Sequence, residues 1–93
     1  MSSESTVVAM MWEARAVRGR GVELLEWARA QELAVEPLRR ESFRASQDRV
    51  LVITWWAVTD PGAPVPELPE PAADLITRPV HRWRFESLGT DGG

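Results

Sequence analysis

The sequence predicts a small α+β domain, a four-stranded sheet with one full helix, and three observations carry that expectation. Residues 50–58 read Val-Leu-Val-Ile-Thr-Trp-Trp-Ala-Val, apolar on both faces, which is the signature of a central strand covered on both sides. Residues 22–35 place Leu24, Trp27, Ala28, Gln31 and Val35 at i, i+3, i+4, i+7 and i+11, one stripe of an amphipathic helix with Leu25 at its flank. Pro61, Pro64, Pro66, Pro69 and Pro71 fall within eleven residues, so 61–71 is an extended connection rather than an element. At 93 residues the chain is one domain with a modest core.

The elements follow in order. Thr6 to Val17 is the first strand. Val8, Met10, Trp12, Ala14 and Ala16 lie on one face, and Val7, Ala9, Met11, Glu13, Arg15 and Val17 on the other. Arg18-Gly19-Arg20-Gly21 breaks the strand, and Val22–Val35 is the helix, ended by Pro37. Leu38–Ser46 is a polar, Arg-rich second strand, and Ser46–Arg49 turns the chain into Val50–Val58. Ala72–Ile76 has room for about one helical turn, and Val80–Leu88 is the last strand, with His81, Trp83 and Phe85 on one face and Arg82, Arg84 and Glu86 on the other. The domain spans 6–88, with 1–5 as a disordered leader and 89–93 as a disordered tail. The order β-α-β-β-(short α)-β is a ferredoxin-like antiparallel sheet with strands in the order 4-1-3-2, its first and third strands expected to run parallel in the middle.

Composition narrows the function. There is no cysteine, which excludes disulfides and thiolate chemistry, and a single histidine leaves too few ligands for zinc or copper. No cofactor is expected. The net charge of −3 argues against nucleic acid as the main partner. No apolar run approaches the roughly 20 residues that cross a bilayer, and the polar start lacks a signal-peptide pattern, so the expected address is the cytoplasm. All eleven basic residues are Arg, while Lys, Asn and Tyr, whose codons are AT-rich, are absent, as in a GC-rich bacterial genome.

One helix and a proline-rich loop can cover only one sheet face. Trp55 and Trp56 are adjacent on a strand and must point to opposite sides, although spacing does not say which faces the helix. An uncovered aromatic face is seldom left on a monomer, and a second sheet from another copy is the simplest cover. The chain is therefore expected to be a homodimer.

The segment Val7–Leu25 with its glycine turn, the strand Val50–Trp56 and the terminal His81-Arg82-Trp83-Arg84-Phe85 resemble the dimeric α/β-barrel superfamily, and within it the small antibiotic-biosynthesis monooxygenase-like proteins. The resemblance covers most of 6–88 and rests on element order with scattered Trp and Gly positions. It implies two ferredoxin-like sheets paired into a barrel, and a pocket for a flat, largely apolar ligand, which some members oxidise without metal or flavin. The chain departs from the family in having no Tyr and in replacing most of the second helix with prolines.

His81 is the one side chain that titrates near neutral pH without perturbation, and its strand face is expected to look into the interior or a cavity. A neutral imidazole there could accept a phenol proton from a bound hydroxyaromatic, or it could simply be a strand-end histidine bonded to backbone or solvent. Trp12, Trp55, Trp56 and Trp83, with Phe85, could wall a slot for a flat ligand or serve as core and interface residues, while Trp27 belongs to the core. Glu13 and Arg15 are expected to form a salt-bridged ladder with Arg82, Arg84 and Glu86, the alternative being Arg15 and Arg82 as a clamp for a carboxylate-bearing ligand. Gly19-Arg20-Gly21 reads as a plain turn rather than an anion site. A non-catalytic dimeric module, recruiting a partner through Pro61–Pro71, is the rival to the pocket protein.

Overall fold

Two ten-residue strands lie side by side and organise the rest of the chain, whose residues 6–91 are described by the computed structural model. The elements are β1 (Thr6–Arg15), α1 (Gly21–Ala30), β2 (Arg39–Ala45), β3 (Arg49–Val58) and β4 (His81–Glu86). Together they make a small α+β domain with one helix and one four-stranded sheet in the order β2-β3-β1-β4. The expected leader at 1–5 and the last two residues of the expected tail lie outside the described residues.

Every neighbouring pair in the sheet is antiparallel, β1 with β3 included. The expectation of parallel central strands is thus corrected. The return through α1 sets β2 in the same direction as β1, and the tight turn at 46–48 then reverses the chain into β3. The sheet is compatible with a ferredoxin-like arrangement in which the second crossover is irregular. Ala72–Ile76 forms a hydrogen-bonded turn instead of a helix, from the Leu75 amide to the Ala72 carbonyl at 2.9 Å. Ile76 then bridges Ala16, prolonging the sheet beyond the end of β4.

The helix is shorter than its apolar stripe. Gln31 is already extended, at ψ 126°, and the guanidinium of Arg40 on β2 donates to the carbonyls of Ala28 (2.7 Å) and Gln31 (2.8 Å). The Ala28 carbonyl also accepts the Gln31 amide at 3.2 Å, so Arg40 adds a second donor there and supplies one to the Gln31 carbonyl just past the helix. Val35 lies beyond the helix and is exposed.

The covered face of the sheet holds Val8, Trp12 and Ala14 of β1 with Val50, Val52, Thr54 and Trp56 of β3, all buried. Leu24 and Ala28 of the helix and Leu68, Leu75 and Ile76 of the 59–80 segment form one core cluster with Trp12, Ala14, Val50 and Val52. The proline-rich stretch therefore works as the second cover of the sheet. The Trp12 indole N–H donates to the Pro69 carbonyl at 3.2 Å, and the Trp12 and Trp27 rings stack with centroids 6.1 Å apart.

Candidate functional site

The cross-strand registers arrange the other sheet face in rows. From β2 to β4 these read Arg39–Trp55–Ala9–Phe85, then Glu41–Ile53–Met11–Trp83, then Phe43–Leu51–Glu13–His81, and at one end Ala45–Arg49–Arg15. No described element lies over them. Phe43, Trp83 and Phe85 are 37%, 44% and 53% exposed, an aromatic patch of the kind that marks an interaction site.

This face settles which residues the fold brings together. Trp56 faces the helix layer, buried, its indole N–H donating to the Thr54 hydroxyl at 2.9 Å, while Trp55 lies on the open face with the Arg39 guanidinium 5.0 Å above its ring. Trp12 shares the covered side with Trp56, and Trp83 and Phe85 share the open side with Trp55. The four candidate tryptophans therefore divide two and two and do not wall one slot. Between sheet and loop, Met10, Trp12, Val52, Thr54, Leu68 and Arg82 leave a void of ≈ 10 Å³, about one water and no ligand. A hollow of ≈ 630 Å³ opens between the helix end and the start of β2, where none of the candidate residues lies.

His81 looks outward on the open face instead of into a cavity, because alternation along β4 puts it on the side opposite Arg82 and Arg84. Its ring meets Trp83 edge-on, with centroids 5.5 Å apart, and its Nδ1 lies 3.5 Å from a carboxylate oxygen of Glu13 directly across the strand pair. That separation is too long for a hydrogen bond but suits an ion pair once the imidazole is protonated. Glu13, only 13% exposed at its side chain, also receives Arg78 at 2.6 Å, from the segment between the 72–76 turn and β4. Arg78 was not among the sequence candidates. Sixty-five positions separate it from Glu13, and no local spacing could pair them.

The expected ladder of Glu13 and Arg15 with Arg82, Arg84 and Glu86 does not form. The two sets occupy opposite faces of the sheet, and β4 has no residue paired with Arg15. Arg82 binds Glu67 at 3.2 Å and the Leu68 carbonyl at 2.7 Å, and Arg84 binds the Ala63 carbonyl, so both pin the proline-rich segment onto the sheet. Arg15 and Arg82, on opposite faces, form no common clamp.

The helix N-terminus already holds an anion of the chain's own. One carboxylate oxygen of Asp48 accepts from the Gly19 amide at 3.0 Å and the other from the Gly21 amide at 3.1 Å. The plain-turn reading of Gly19–Gly21 holds, with Gly19 at φ +85°. Among the described residues no three His, Asp or Glu side chains converge to hold a metal ion, and no helix is long and apolar enough to cross a membrane. No family model, curated protein or solved structure matches the chain.

Proposed function

We propose that this chain works as a homodimer that holds a flat, largely apolar aromatic ligand at its open sheet face, in the manner of the antibiotic-biosynthesis monooxygenase-like proteins it resembles. One observation carries the reading: Trp55, Trp83 and Phe85 share with His81 a sheet face that no part of the described chain covers. Burying apolar area gains about 25 cal/mol per Å², so a ligand ring and a second sheet both gain by covering it.

His81 is the polar group at that site, with Glu13 beside Nδ1 and the other ring nitrogen free to meet a ligand. A hydroxyaromatic laid against Trp83 gives its phenol proton to the imidazole. The anion is then open to dioxygen, and a ring methylene plus dioxygen become a ring carbonyl plus water, with no cofactor in the balance. Hydroxyanthrone-like compounds, which carry the ring methylene, are expected to quench tryptophan fluorescence and to raise oxygen uptake above background, and hydroquinone, which has none, to quench without that uptake. His81→Ala is expected to abolish uptake and keep the quenching. A panel that produces neither signal overturns the ligand reading.

The tight packing of the covered side supports a second reading, a dimeric interaction module with no small ligand. It expects a dimer whose fluorescence is unmoved by the same panel. In that case the recruiting arm is the proline-rich segment, which exposes Pro61, Pro64 and Pro69 while Leu68 and Pro71 are turned inward.

A further inference from the structure

An isologous pair of facing sheets packed with their strands aligned has its two-fold axis in the plane between them, running either along the strands or across them. From the charges on the open face we infer that the axis runs across the strands, so that the facing β1 strands are antiparallel and the row Glu41–Ile53–Met11–Trp83 lies over the same row of the second copy. This rests on the homodimer reading above and adds the alignment.

The three middle rows are neutralised within the chain. Glu13 is paired with Arg78 and Arg39 with Glu41, each at 2.6 Å, so covering them leaves no lone charge at the centre. The end row is different. Arg15 stands directly opposite Arg49 on the antiparallel pair, both are exposed, and neither has a carboxylate within ion-pair distance among the described residues. Like charges directly opposite one another already oppose pairing.

An axis along the strands keeps the row order and brings the Arg15–Arg49 ends of both copies together, four guanidinium groups at one place. Like charges brought together repel, and more strongly as water leaves. An axis across the strands reverses the row order. Each arginine end then overhangs the Val7–Ala57 end of the second copy, from which β3 leads into the exposed Asp60. The cost is a meeting of the two Glu41 side chains, which sit at the rim and are each held by Arg39.

The chain has no cysteine, so one introduced thiol reports alignment cleanly. In the antiparallel alignment, position 41 faces position 41 across a sheet spacing of about 10 Å. In the parallel one it faces position 83, and the two 41 positions stand a further three strands, about 14 Å, apart sideways. Glu41→Cys treated with a short bismaleimide is expected to double in mass on a denaturing gel. Arg39→Cys refolded together with Phe43→Cys is expected to do the same, and guards against a defect peculiar to position 41. Linkage only between Glu41→Cys and Trp83→Cys overturns the alignment and keeps the dimer. Sedimentation of the unmodified chain at monomer mass overturns the homodimer itself.

Discussion

Asp48 occupies a turn position at φ 58°, next to Gln47 at φ 64°, and from there its carboxylate reaches the amides of Gly19 and Gly21. A negative charge at a helix N-terminus faces the positive end of the helix dipole, and here it satisfies the Gly21 amide that the helix leaves unpaired together with the Gly19 amide of the preceding turn. Asp48→Ala loses both bonds and puts alanine where aspartate tolerates the left-handed region better. It is expected to destabilise by about 1–3 kcal/mol in a urea melt, with Asp48→Asn losing less. A melt unchanged by the alanine removes Asp48 from this role. Gly21 tests the same contact from the other side. A β-carbon there would sit 2.8 Å from the Asp48 carboxylate and 3.1 Å from its Cα. Gly21→Ala should therefore destabilise, although helix propensity favours alanine by about 1 kcal/mol. Greater stability would refute the close approach. The Arg20 hydrogen bond, with its charge, holds the Glu23 carboxyl below its ordinary value. The stability this adds is present above the usual carboxylate range and is lost as pH falls through the lowered pKa. The melting-temperature gap between wild type and Glu23→Gln should be small near neutrality, since both groups are exposed, and should close in acid.

At the scale of elements, the β2–β3 hairpin grips the helix by both ends. Asp48 at its turn takes the N-terminus, and Arg40 near the start of β2 takes the C-terminal carbonyls. Each charge has the sign that its end of the helix dipole prefers. Arg40→Met keeps the aliphatic stem and removes two charge-assisted bonds, so a loss of about 1–3 kcal/mol is expected in the same melt. A loss near zero would mean that the helix end is held by packing alone. The apolar spacing of Leu24, Trp27 and Ala28 made the helix and its buried side legible in the sequence. Its end at Ala30 was not legible, because the group that competes for the last carbonyls lies on β2, ten positions beyond.

For the whole molecule, the proposed homodimer rests on the open face. Ile53→Glu places a charge at the centre of the row Glu41–Ile53–Met11–Trp83, where the strand pairing itself is untouched. Sedimentation is expected to give a monomer with an unchanged circular dichroism spectrum. A variant that still dimerises would show that the face is not the interface. Alternation along β1 and β3 was enough to say that a second apolar face exists. The candidate site was legible only in part, since His81, Trp83 and Phe85 do share a face while Trp12 and Trp56 turned out to lie behind the sheet.

The chain order by itself determined the four strands, the helix and the alternation that parts Trp55 from Trp56, because these follow from local periodicity and turn chemistry, and the strand order followed from the topology those elements allow. Only the tertiary structure decided which tryptophan meets the helix, that the central strands are antiparallel, and that Arg78 and Asp48 take their partners at Glu13 and Gly19–Gly21. The reason is one of range: a period of two or 3.6 residues is written in neighbouring positions, whereas a charge finds its partner by where the folded backbone carries it.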